Sequence, residues 1–376
     1  MVPDFQLVDK PEAFDEALSV LKDEPEIILD LEADSLHHYK ARICLAQIAV
    51  PGRCWIVDPF FEGFDHERLT AVFRGKTLLL HGCDYDLRLM RSLWNYVPDR
   101  ILDTAVWARL LGHRSFGLGN LVEKYFGVKL DKSKQRADWA IRPLSAPMLA
   151  YAAGDTAYIR PMVEIMEAKL KELGRLSWAE ESCAHLLKCS QEPPHHVKEE
   201  PWRITGHGEL RRRGLALLRL LWNWREEEAR RRDLPPFKVI NNERLIELSR
   251  DFEGRASCQV GDLPKLPRHF GPETRERIAE LIRGAAQIPE EEWPRLRLPR
   301  PVPPPSPHPA VYERLKAVRQ KMCEELDLED SLLATKPQLT SLALHSRASE
   351  EEIRSGTPMM EWQYGLWIPR ILEKRP

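Results

Sequence analysis

Apolar and acidic positions begin to alternate where an apolar run ends, at Ile27-Ile28-Leu29-Asp30-Leu31-Glu32-Ala33-Asp34. The run predicts a strand, and residues two apart on a strand share a face, so Asp30 and Glu32 project together. Apolar runs at 43–50 and 54–58, separated by Pro51-Gly52, predict a hairpin. Helical spacing marks 11–21 and 66–73, and a buried-type run fills 77–81. Helices with short connections then follow to about residue 173. Hairpin strands followed by alternating strand and helix predict an α/β fold, a mixed sheet with flanking helices.

The pattern changes in the second half. Leu215, Leu218, Leu221, Trp222, Trp224, Ala229, Leu234, Val239 and Leu245 follow helical spacing and are interrupted at Pro235-Pro236. Prolines divide the chain: Pro193-Pro194 and Pro201 mark a first linker. Pro299, Pro301, Pro303, Pro304, Pro305, Pro307 and Pro309 mark a second, stiff and extended one. The expected division is 1–190, a linker at 191–204, a helical domain at 205–292, a proline-rich linker at 293–309, and a second helical domain at 310–376.

Composition is that of an ordinary folded chain, 43% hydrophobic and 30% charged over 376 residues. No apolar run is long enough for a membrane span, and the first ten residues lack an export signal core, so a cytoplasmic protein is expected. Seven scattered cysteines point to reduced thiols. Net charge is −2 overall, but residues 1–165 carry −4 and residues 203–300 carry +5. An acidic first half suits cations and a basic middle suits phosphates.

Two further carboxylate sites matter. In Leu80-His81-Gly82-Cys83-Asp84-Tyr85-Asp86 a strand gives way to a helix. Asp84 is the expected N-cap and Asp86 is free to face a site beside the sheet edge. In Tyr151-Ala152-Ala153-Gly154-Asp155 the phenol and the acid lie four apart on one helical face. Adjacent carboxylates repel unless a cation lies between them, and a hard divalent ion with oxygen ligands is the usual solution. Phosphodiester hydrolysis with two metals needs such convergence, with ions roughly 3.5–4 Å apart. Gly75-Lys76-Thr77 lacks the earlier glycine of a phosphate-binding loop and leads into a strand, which excludes that reading. Cys183, His185, Cys189, His195 and His196 fit no standard zinc spacing. His37-His38 are read as rim or surface residues.

In this order and spacing, Asp30-x-Glu32, His81-x4-Asp86 and Tyr151-x3-Asp155 resemble the motifs of the DEDD 3′→5′ exonucleases, a ribonuclease H-like fold, and the tyrosine places the chain in the DEDDy branch. The segment from Leu130 to Trp139, with Arg142-Pro143-Leu144, Asp103-Thr104 and Leu118 to Glu123, resembles the ribonuclease D family. The stretch 205–292 is similar to an HRDC domain, and 310–376 to a second, degenerate one. Trp362, Tyr364 and Trp367 are expected in its core.

The resemblance implies that Asp30, Glu32, Asp86 and Asp155 ligate two divalent ions, Mg²⁺ or Mn²⁺, and that Tyr151 orients or deprotonates the attacking water. It implies a metal-dependent 3′→5′ exoribonuclease releasing nucleoside 5′-monophosphates, acting in tRNA 3′ maturation or other structured-RNA processing, as a monomer without membrane association. RNA contact is expected at His81, Lys132, Lys134, Arg136, Arg211, Arg212 and Arg213. Leu31, Ala33 and Gly154 depart from common family residues and bear on substrate preference. Asp34 has no counterpart in the motif and is expected to matter little. An exonuclease acting on DNA, or a non-catalytic RNA-binding module, is the alternative.

Overall fold

Apolar alternation and short turns build a six-stranded sheet in the order β1-β4-β3-β2-β5-β6. The strands are β1 (Gln6–Val8), β2 (Glu26–Ala33), β3 (Ile43–Val50), β4 (Arg53–Val57), β5 (Thr77–Leu80) and β6 (Arg100–Asp103). The structure, a computed structural model, describes residues 4–192, 200–296 and 305–372. Much of both expected linkers therefore lies outside the described residues. β2, β3 and β4 pair antiparallel, while β2–β5, β5–β6 and β1–β4 pair parallel. β3 is buried at every position, as suits a central strand covered on both faces.

Helices cover the sheet: α1 (Pro11–Leu21), α2 (His66–Phe73), α3 (Asp84–Trp94), α4 (Thr104–Leu110), α5 (Leu118–Phe126), α6 (Ala146–Ala157), α7 (Ile159–Glu172) and α8 (Leu176–Gln191). Their starts follow local chemistry. Pro11 opens α1, and Asp65 caps α2 by accepting from the amides of Glu67 and Arg68. β1 and β6, with three and four residues, are too short to show a period and were not expected.

Packing divides the chain into two units: residues 1–33, 42–193 and 304–376 form one, and 34–41 with 194–303 form the other. In the second unit, α9 (Arg212–Arg232), α10 (Pro236–Val239), α11 (Asn242–Asp251) and α12 (Pro272–Ala286) close on Leu215, Leu218, Leu221, Leu245, Leu248, Ile278 and Ile282. Tyr39 packs against this core, and His38 Nδ1 lies 2.7 Å from Asp233 Oδ2. His37 Nδ1 lies 3.2 Å from Lys238 Nζ. His37 and His38 are therefore engaged within the helical unit.

The segment expected as a second bundle contains α13 (Pro309–Leu326), α14 (Asp330–Leu333), α15 (Lys336–Leu344), α16 (Glu350–Gly356) and α17 (Glu361–Leu372). These helices pack with the sheet-bearing unit: Arg175 Nη2 donates to the Leu326 carbonyl at 2.7 Å, and Trp178 stacks on Trp362 at 4.9 Å. Trp362, Tyr364 and Trp367 are buried. No helix among the described residues is long and apolar enough to cross a membrane.

Candidate active site

β2 brings Asp30 and Glu32 to the face covered by α6. On α6, one helical turn aligns Tyr151 with Asp155, and oxygens of Asp30, Glu32 and Asp155 come within 4.8 Å of one another. A cavity of about 400 Å³ opens over them, lined also by His81, Asp86, Lys132, Gln135 and Tyr151. Trp139, 1% exposed, supports the tyrosine, with ring centroids 5.9 Å apart. Around it Cys44, Leu45, Ile56, Met148, Ala152 and Ala153 form an apolar floor that fixes α6 to the sheet. The loop before α6 is anchored by Arg142, whose guanidinium donates to Asp58 and to the carbonyls of Trp139 and Cys44 at 2.5–2.8 Å.

The electrostatics are those of unmatched negative charge. Desolvation raises Asp30 to about 6 and Asp155, further pushed by Asp30, to about 8. Desolvation, then Asp30, Asp155 and Asp86, raise Glu32 to about 10. Asp86 is held well above its ordinary value by burial and by Asp30. The Tyr151 phenol, hydrogen-bonded to Asp155, is pushed upward by burial and by Asp155, Glu32 and Asp30, so it stays protonated at neutral pH. Hydrogen bonds from the Leu31 amide to Asp30 and from Tyr151 to Asp155 oppose these rises. Several hard oxygen donors converging on one point fit a divalent cation.

Asp86 lines the same cavity but stands outside the tight trio. Its placement depends on Asp103, which is fully buried at the end of β6. One carboxylate caps α4 through the amides of Ala105 and Val106, and also accepts from the amides of Gly82 and Cys83 ahead of α3. Asp84 is thus not the N-cap expected from its position: Cys83 holds that place, and Asp84 pairs with Arg88 one turn on. Thr104 adds a bond to His81 Nδ1 at 2.8 Å, and desolvation lowers the imidazole, favouring its neutral form. Asp103 and Thr104 are structural supports of the site that sequence reading registered as motif residues without a role, because a cap supplied across strands leaves no local signal.

Of the expected RNA contacts, His81 and Lys132 line the cavity, whereas Lys134 and Arg136 are not part of its lining. Gln135 and the start of α5, from Gly117 to Gly119, also line it; Gln135, Leu118 and Gly119 are motif residues for which no contact was expected. A Cβ at Gly119 would stand 2.8 Å from Lys132 Cε, so the lysine lies directly over that helix start. A Cβ at Gly154 would meet nothing within 4 Å, so this departure creates no steric gap that alanine had to fill. Asp34 is fully buried, and its carbonyl accepts from the amides of His37 and His38. Its side chain lies 3.9 Å from His38 Nε2, within the helical unit.

In the helical unit Arg212, half-buried, donates to the carbonyls of Glu290 and Trp293, while Arg211 and Arg213 are exposed, Arg213 lying 4.9 Å over the Trp293 ring. Cys189 Sγ lies 3.4 Å from His185 Nε2, and His195 and His196 lie outside the described residues.

A 3′-5′ exonuclease family model matches residues 5–171, and an HRDC domain model matches residues 214–253. Ribonuclease D of Acidiphilium cryptum is 30% identical over 331 residues, covering 84% of this chain and 81% of that protein. The chain belongs to the ribonuclease D family. Ribonuclease D of Pseudomonas paraeruginosa is likewise 30% identical, over 85% of this chain and 84% of its own. The crystal structure of Escherichia coli RNase D, described as an exoribonuclease involved in structured RNA processing, has a TM-score of 0.68 at 26% identity and covers 98% of each chain. A Bifidobacterium adolescentis protein with a TM-score of 0.81 at 23% identity shares the fold. As a ribonuclease D family member the chain is a 3′→5′ exoribonuclease, of a class that uses divalent metal.

Proposed function

We propose that Asp30, Glu32, Asp86 and Asp155 hold two divalent ions, Mg²⁺ or Mn²⁺, and that the enzyme trims the 3′ ends of structured RNA such as tRNA precursors. The observation that carries this reading is the convergence of Asp30, Glu32 and Asp155 within 4.8 Å beside Tyr151 in one cavity. Bound divalent ions supply positive charge that offsets what develops on the phosphate and favours loss of a proton from water. Water attacks the terminal phosphorus, the bond to the preceding O3′ breaks, and that oxygen takes a proton. The products are a nucleoside 5′-monophosphate and an RNA one residue shorter.

Each residue has a defined part. A protonated Tyr151 donates its one hydroxyl proton to Asp155, so its oxygen is held as an acceptor that orients a proton of the attacking water, which accounts for a phenol in a site too negative to ionise it. His81 and Lys132 flank the entering nucleotide, and a cavity of about 400 Å³ suits one terminal residue. A single-stranded 3′ end enters there, while the basic helical domain, through Arg211 and its neighbours, holds the RNA body by phosphate and shape. Domain limits of 1–190, 205–292 and 310–376, a monomeric state and a cytoplasmic location complete the reading.

Matched RNA and DNA oligomers labelled at the 5′ end, digested in Mg²⁺ and in Mn²⁺ and mapped from the 3′ end, test it. Stepwise shortening of RNA, lost in Asp30→Asn and Asp155→Asn, is expected. Equal or faster trimming of DNA would overturn the RNA assignment, and full activity in either variant would overturn the ligand set.

A further inference from the structure

Gln47 is the one amide side chain in β3, an otherwise apolar strand, and it is fully buried. Neither its Oε1 nor its Nε2 has a hydrogen-bond partner. A buried amide is unfavourable unless paired, and a leucine here would carry no such penalty. Its surroundings name the missing partner. In the sheet register Gln47 stands opposite Asp30 on one side and Ile56 on the other. Directly opposed residues share a face, with Cβ atoms about 5 Å apart. Ile56 packs with Met148 and Ala152 of α6, so that face is the one beneath the helix bearing Tyr151 and Asp155. A carboxylate has two oxygens and accepts about four hydrogen bonds, so an oxygen edge of Asp30 stays open when the other edge binds a cation. The terminal torsions of both side chains are soft, and a modest rotation joins them.

We propose that Gln47 is a positioning residue whose Nε2–H donates to Asp30 and fixes which carboxylate edge faces the metal. The inference rests on Asp30 being a ligand, as in the proposed function. Partners that orient ligands in this way are worth roughly 10–100-fold in metal affinity.

The test is Mn²⁺ titration of the full chain by electron paramagnetic resonance, together with the thermal midpoint of the metal-free protein, for wild type, Gln47→Leu, Gln47→Met and Asp155→Asn. Both Gln47 variants are expected to keep or raise the metal-free midpoint, since an unpaired amide is removed, and to bind Mn²⁺ about 10–100-fold more weakly. Wild-type Mn²⁺ affinity in a folded Gln47 variant overturns the proposal, whether or not its midpoint falls. Failure of both variants to fold also overturns it, because the amide would then be serving the metal-free core. If Asp155→Asn binds Mn²⁺ as wild type does, the ligand assignment itself fails. Sensitive Asp155 with insensitive Gln47 removes this inference alone.

Discussion

Glu32 and Glu228 are the same chemical group in opposite circumstances. Glu32 lies among Asp30, Asp86 and Asp155, and burial with those neighbours raises it to about 10. Glu228, in α9, accepts from Arg231 at 2.7 and 2.8 Å and from Arg232, and these partners, Arg231 first, lower it. The helical unit repeats this matching: buried Arg225 donates to Asn242 Oδ1 at 2.7 Å, and buried Arg203 to Glu200 and the Arg295 carbonyl. One region thus gives these buried charges partners from its own sequence, and the other gathers like charges in one place. Unmatched charge at a cavity is a mark of function, whereas matched charge serves the fold.

The largest effect is expected from breaking the unmatched set. Asp155→Asn should lower the hydrolysis rate by on the order of 10³-fold or more while raising the metal-free thermal midpoint, because one repelling carboxylate is gone. Single-turnover assays and calorimetry on the same sample check both signs. Tyr151→Phe should cost on the order of 10²-fold in rate with little change in Mn²⁺ affinity, as expected of a group that orients water. A large loss of affinity would instead make the phenol a ligand support.

The comparison also predicts a pH dependence with a definite sign. Asp30, Asp155 and Glu32 have native values of about 6, 8 and 10, above ordinary unfolded ones near 4. The native state therefore holds more protons than the unfolded state between roughly pH 4 and 10, and stability must fall as pH rises through that window. Midpoints of metal-free protein should decline from pH 5 to pH 9, and saturating Mg²⁺ should flatten the decline. A midpoint that rises with pH in the metal-free protein would contradict the assignment.

In the matched region effects should be smaller. Glu228→Gln should destabilise the helical unit by about 1 kcal/mol, since Arg231 is 68% exposed and screened. Trimming of a short single-stranded oligomer should be unaltered. Arg211→Ala should leave stability unchanged and reduce the salt slope of structured-RNA binding by about 1, read by titration at several salt concentrations.

Sequence reading reached the features written in local pattern. Alternation put Asp30 and Glu32 on one strand face, and helical spacing put Tyr151 above Asp155. It did not reach features made by distant partners. Asp84 looked like a helix cap because nothing near it in sequence discloses that Asp103, from the next strand, accepts the amides of Gly82 and Cys83. Arg211-Arg212-Arg213 gave no local sign that Arg212 donates to the Trp293 carbonyl or that Arg213 lies over the Trp293 ring. Asp34, set aside because it lies beyond the motif, is fully buried. Periodicity reports which face a residue takes, but not what waits on that face.

The double duty of Asp103 has a consequence for how this enzyme can fail. Its two oxygens join the beginnings of α3 and α4 into a single piece, and one of those beginnings carries Asp86. An amide at that position would have to donate where the carboxylate only accepts: with Oδ1 kept for Gly82, Ala105 and Val106, the Cys83 amide at the start of α3 would face another donor. Damage of that kind reaches the proposed catalytic centre from behind, leaving its four acids and tyrosine intact in the gene. A variant of this enzyme changed at Asp103 alone is therefore expected to lose activity with all five proposed catalytic residues in place.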